Sequence, residues 1–249
     1  MTEEHGPILA KNRDYRPDHR ALQCLVKAYP VRGYVYSYLT SAGSPGVFSS
    51  GMNEKGLAVV DTHVHSCETG PGLARYSVMM KVLEEFSRVG EALEHLSSLH
   101  HMGDGTLTLA DAEGSCAVFE AGHYEQAAIL PKNSYVVATN HFTSQGLKEK
   151  WLDPSPIGIR GNTQKRYATV EGARGTAQET VDLAWARQLM ASHLSPMEAI
   201  CRHPEYEPVS VTISTVFYTP KSKRMRVAFG MPCRTGFYTL SVDGSGNPG

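Results

Sequence analysis

Short strand-like runs fall into three blocks along this chain, with stretches of helical period between them, and that order limits the fold more than any other feature. The first block holds runs at 7–11, 22–28, 34–39, 46–50 and 56–62, with a tight polar turn at 52–56 before the last. Two helices follow. In the first, over 74–86, Tyr76, Met79, Met80, Leu83 and Phe86 recur close to every third or fourth position. The second begins near Ser87 and carries Val89, Ala92, Leu93 and Leu96. The next strands are 106–110, 115–120, 126–130 and 134–139, and an ordered polar loop spans 142–160. A capping box at 176–179 opens a helix through Leu189, and a second box at 195–198, with Pro196 in the first helical position, opens a short helix ending at 200–202. Strands at 209–218, 224–229 and 236–242 close the chain. This order is α+β. Two antiparallel sheets facing each other, with helices outside, would bury every apolar face. One domain over 1–242 is expected, with a flexible tail at 243–249.

Composition removes several classes of function. The net charge is −1 and the pI about 6.8, so the footprint of a nucleic-acid or membrane-surface binder is missing. The apolar runs are strand-length and none approaches a membrane span. The polar, acidic start, Met1-Thr2-Glu3-Glu4, is unlike a signal peptide. The 5 cysteines are scattered and form no CxxC pair, which favours reduced thiols and a cytoplasmic setting. His63, His65, His100 and His101 stand without a cysteine or acidic partner at ligand spacing, so neither a metal nor a cofactor is expected.

Four segments carry the functional reading: Gly6-Pro7-Ile8-Leu9-Ala10-Lys11-Asn12-Arg13-Asp14-Tyr15, Gly51-Met52-Asn53-Glu54-Lys55-Gly56-Leu57-Ala58-Val59, Ala138-Thr139-Asn140-His141, and Ile200-Cys201-Arg202 before the closing hairpin. Each is common alone. Together, in this order, they resemble the acyl-coenzyme A:6-aminopenicillanate acyltransferase family, also classed as C45 peptidases, over about residues 5–242. The resemblance implies a four-layer αββα N-terminal-nucleophile (Ntn) hydrolase fold, autoprocessing in front of a cysteine, and hydrolysis or exchange of a linear amide in a small acyl substrate. Such a cysteine is both nucleophile and base, because an α-amino group with a pKa near 8 can take the thiol proton.

The resemblance assigns Asp14 to holding the terminal amine and thiol, and Asn140 to donating into the oxyanion hole. Arg13 and Arg166 are weaker candidates, since either could be a solvated charge. Thr62 stands after the Gly-x-Ala-Val strand, where some relatives have asparagine, and could replace part of that donor. An arginine expected before the closing hairpin has no match near Val209. Tyr34, Tyr36, Tyr38, Phe142 and Trp151 could line an acyl pocket or belong to core and loop packing. None of the cysteines matches the nucleophile by position. The resemblance puts it upstream of Met1, on a strand pairing with residues 6–12, so the first strand is expected to be absent from this sequence. Three readings remain open: a truncated enzyme, a nucleophile-less binding protein, or Thr2 acting as nucleophile after removal of Met1. Water or an amine could be the acceptor, and a homo-oligomer is compatible with the sequence.

Overall fold

The computed structural model describes residues 6–176, 181–205 and 210–243. Its strands form two antiparallel sheets. The larger is a meander in chain order: β2 (Gln23–Ala28), β3 (Tyr36–Ser41), β4 (Ser50–Asn53), β5 (Ala58–His63), β6 (Gly105–Ala110), β7 (Cys116–Ala121) and β8 (Gln126–Ile129). The smaller joins the two ends of the chain. In it β1 (Leu9–Tyr15) pairs with β9 (Val211–Thr219), followed by β10 (Arg224–Ala228) and β11 (Tyr238–Ser241).

Alternation of side chains assigns each residue to a layer. On β5, Ala58 and Val60 face the smaller sheet and pack with Leu9, Val216, Tyr218, Met225 and Val227. Val59 faces the other way. There Val78, Met79, Val82 and Leu83 of α1 (Arg75–Glu85) and Ala92 and Leu96 of α2 (Val89–Ser98) cover the larger sheet. On the far side of the smaller sheet, α4 (Leu183–Met190) packs on β1, and Asn12 donates to the carbonyls of Met190 and Ile200, both at 2.8 Å. The result is the αββα sandwich.

The turn before β5 is a structural joint. Gly56 has a φ of +88°, and a Cβ there would sit 2.5 Å from the Pro220 carbonyl. Asn53 is fully buried: its amide donates to the carbonyls of Leu83 and Phe86, closing the end of α1, while its oxygen accepts from the backbone of Lys55 and Leu57.

Several elements differ from expectation. Residues 134–139 form no strand: Ser134 turns the chain with a φ of +60°, and Thr139 makes only an isolated bridge with His141. The strand expected at 46–50 begins only at Ser50, because Gly46 turns the chain with a φ of +67°. Helix α3 (Asn162–Thr176) was not foreseen, since its sequence is polar and weakly periodic. Residues 195–202 form turns rather than a helix, and the Cys201 amide donates instead to the Ser192 carbonyl. The helix expected up to Leu189 is α4, capped by Asp182, whose side chain accepts from the Trp185 amide at 2.7 Å. The box at 176–179 falls outside the described side chains, as do Thr2, Val209 and the tail beyond Asp243.

The two sheets differ in width, and the difference positions the site. Among the described residues no strand pairs with the second edge of β1. A cavity opens beside that edge, walled also by Val60 and Thr62 of β5 and Thr108 and Ala110 of β6.

Candidate active site beside an open strand edge

The cavity has a volume of about 610 Å³ and is lined by every residue from 6 to 15. Residues of both parities line it because it follows the backbone edge of β1 rather than one face. Its wall includes Asp14, Asn140, Thr62, Arg13 and Arg166, which carry a carboxylate, a side-chain amide, a hydroxyl and two guanidinium groups. All the sequence-derived candidates within the described residues therefore share one wall system.

Asp14 is aimed by an irregularity in the strand. The register between β1 and β9 shifts between Arg13 and Asp14, and a bulge of this kind re-directs a side chain. One carboxylate oxygen accepts from the Thr212 hydroxyl at 2.6 Å, and that hydroxyl accepts from the Arg202 amide at 2.8 Å. Arg13 points to the opposite layer. It is buried, donates to the Ser41 hydroxyl at 2.8 Å and lies 5.2 Å from the Phe48 ring centre. It is a packed cation, not the solvated charge the sequence allowed. Burial pulls its pKa down, and the charge of Asp61 opposes that shift.

Asn140 follows the isolated bridge of Thr139 with His141. Its NH₂ group donates to the His63 carbonyl at 2.9 Å, and its oxygen accepts from Arg166 at 2.8 Å. Arg166 reaches in from α3. Burial pulls its pKa down to about 10, with Asp14 acting to raise it and Arg202 to lower it. Its Nε–H is buried without a partner, as is the hydroxyl of Ser49, another residue of the cavity wall. An unmet buried donor costs about 1–3 kcal/mol, so the Ser49 hydroxyl favours an arriving acceptor. The loop after Asn140 is fixed by Glu120, buried at 1% exposure, whose two oxygens accept from the amides and hydroxyls of Thr143 and Ser144.

Sequence reasoning missed the charged floor. Lys11 donates to the Asp61 carbonyl and lies 3.6 Å from its carboxylate, while Arg75 is 3.8 Å from the same side chain. Burial lowers the Lys11 pKa, and Asp61 opposes it. The Lys11/Arg13 alternation on a strand that also bears Leu9 was the available signal. Of the two alternatives open for the aromatic residues, packing in the core and loops is the one found for four of them. Tyr36 belongs to the core under α1, with Tyr38 packed against it, and Phe142 and Trp151 form a small cluster with Val64 and Leu147. Tyr34, like these four, does not line the cavity; Tyr15, Phe48, Tyr76, Tyr135 and Trp185 do.

Neither nearby thiol is activated. Cys116 lines the cavity, but burial raises its pKa. Cys201 does not line it, and burial followed by its hydrogen bond to Cys233 pushes that thiol up to about 12.

The chain matches the family described as acyl-coenzyme A:6-aminopenicillanic acid acyl-transferase over residues 1–234. No curated protein matches its sequence. Solved structures with a similar fold include a variant of conjugated bile acid hydrolase from Clostridium perfringens, 15% identical, covering 96% of this chain and 91% of its own, with a TM-score of 0.61. Penicillin V acylase from Agrobacterium tumefaciens is 18% identical, with coverage of 96% and 83% and a TM-score of 0.59. A Caenorhabditis elegans ortholog of N-acylethanolamine-hydrolyzing acid amidase is 15% identical, with coverage of 86% and 88% and a TM-score of 0.57. The fold is that of Ntn hydrolases.

Proposed function

The chain belongs to the acyl-coenzyme A:6-aminopenicillanic acid acyl-transferase family, and on that basis we propose that it is an amide hydrolase or acyltransferase acting through a cysteine acyl-enzyme. The observation that carries the reading is the convergence of Asp14, Asn140, Thr62 and Arg166 on one cavity along the open edge of β1. In this reading a strand preceding Gly6 runs along that edge. Its first residue is the nucleophilic cysteine, delivered beside Asp14.

The parts then divide the chemistry. The α-amino group takes the thiol proton, and the Asp14 carboxylate, held by Thr212, orients both groups. The thiolate adds to the substrate carbonyl. Asn140 has two N–H bonds; one serves the His63 carbonyl and the second stabilises the developing oxyanion. Arg166 is a positioning residue, because its bond to the Asn140 oxygen decides which way the amide faces. Thr62 adds a hydroxyl on the same wall. The amine leaves with a proton, and water or a second amine resolves the acyl-enzyme. Val136, Val170, Trp185 and Leu189 supply an apolar wall for the acyl group, and a cavity of this volume suits a small-molecule substrate.

The test is the intact mass and amino-terminal sequence of the protein purified from its source, with turnover of an acyl-amide panel measured alongside. A terminal cysteine upstream of Met1, with turnover abolished by D14N, supports the reading. A protein that begins at Met1 or Thr2 and binds acyl amides without turnover overturns it in favour of a binding protein. If a protein that begins at Thr2 instead turns the amides over, loss of that activity on Thr2→Ala would assign the nucleophile to Thr2.

A further inference from the structure

A second cluster of reactive side chains lies away from the cavity. Cys201 and His203 stand in the irregular segment after α4, His193 just beyond the end of that helix, and Cys233 in the turn between β10 and β11. The Sγ atoms of Cys201 and Cys233 are 3.6 Å apart. His203 Nε2 is 3.5 Å from the first sulfur and 3.3 Å from the second. Ligand atoms of His193, His203 and Cys233 all lie within 4.8 Å of one another. A disulfide needs about 2.05 Å between sulfurs, far less than is found. A tetrahedral zinc ion, with Zn–S near 2.3 Å and Zn–N near 2.0–2.1 Å, spaces its ligand atoms by about 3.4–3.8 Å.

We propose that Cys201, His203, Cys233 and His193 form a structural zinc site that staples three loops of the outer layer. Two thiols and two imidazoles are a donor set that suits zinc. The outer contacts point the same way. His193 Nδ1 lies 2.9 Å from the Ala191 carbonyl, a bond that holds the tautomer whose Nε2 can bind a metal. His203 Nδ1 faces a Glu205 carboxylate oxygen at 3.7 Å, the carboxylate–histidine pairing common behind zinc ligands. Zinc binds as the two thiols lose their protons, so two thiolates balance the charge of Zn²⁺. The staple also backs the cavity: Ile200 accepts from Asn12, and the Arg202 amide supports the Thr212 hydroxyl that holds Asp14. Neither sequence spacing nor the expectation of no metal exposed this cluster, because its members come from separate segments.

Metal analysis of the whole chain, expressed with zinc and purified without chelator, is expected to find about one zinc per chain. Chelation is expected to lower the melting temperature, and added Zn²⁺ to restore it. Co²⁺ added to the chelated protein is expected to give a thiolate charge-transfer band and tetrahedral d–d bands. C201S and C233S are each expected to weaken Zn²⁺ binding by at least the roughly 100-fold that loss of an outer partner can cost, while Cys67→Ser leaves it unchanged. The cobalt spectrum is read on the unaltered chain, so a variant that fails to fold does not spoil the test. Absence of both zinc and cobalt bands, or recovery of Cys201 and Cys233 as a disulfide in the native protein, would overturn the proposal.

Discussion

Arg166 and Asn140 form a pair whose members have different duties. In the proposed mechanism Asn140→Ala removes the oxyanion donor, and kcat is expected to fall about 10²–10³-fold with the melting temperature little changed. R166K keeps the charge but loses the guanidinium that grips the Asn140 oxygen at 2.8 Å. Its loss in kcat should be smaller, and the double variant should be no worse than Asn140→Ala alone, because Arg166 acts through the amide. Steady-state kinetics on the four proteins of this cycle check both statements; additive losses would show that Arg166 touches substrate independently. Arg13 illustrates what sequence hides. A charge between two polar residues reads as solvated, yet period-two alternation carries it into the layer between the sheets, where Ser41 and Phe48 receive it.

Asn53 and Glu120 fix whole elements through buried polar bonds. Asn53 ties the turn before β5 to the end of α1 with two donated and two accepted bonds. Asn53→Ala leaves those backbone groups unmet and is expected to cost about 2–4 kcal/mol, read from urea unfolding. Glu120→Gln replaces one acceptor oxygen with an NH₂ group facing donors, so the loop after Asn140 loosens. This variant should lose about 1–3 kcal/mol of stability and activity together, unlike Asn140→Ala. Strands and the first two helices were legible because apolar residues recur locally. Helix α3 was not, because tertiary contacts such as those of Thr139 with Thr163 and of Asn140 with Arg166 hold it where its own periodicity is weak. The same holds for 134–139, which line the cavity instead of pairing in a sheet.

The molecule as a whole should lose stability on mild acidification. His101 is buried, its Nε2 lies 2.8 Å from the Leu96 carbonyl, and its Nδ1 has no partner. Burial lowers its pKa, as it does for His141 between Thr139 and Thr163. The unfolded chain therefore takes up these protons first, near pH 6.5. Their contribution to stability is complete above that value and is lost as the pH falls through it, by up to about 1.4 kcal/mol per pH unit for each proton. Urea midpoints from pH 8 to pH 5 check the slope, and H101Q should flatten it. No helix among the described residues is long and apolar enough to cross a membrane.

Local pattern was enough to establish the α+β order, the turn at Asn53 and Gly56, and the motifs that hold Asp14 and Asn140. Alternation and turn chemistry depend on near neighbours, so they can be read along the chain. Packing alone decided that Asp14, Thr62, Asn140 and Arg166 face one cavity, that Lys11, Asp61 and Arg75 share its floor, and that two cysteines meet two histidines behind it. Those neighbours lie far apart in sequence. They meet only because a narrow sheet, built from both ends of the chain, closes against a wider one, with no strand among the described residues on the second edge of β1.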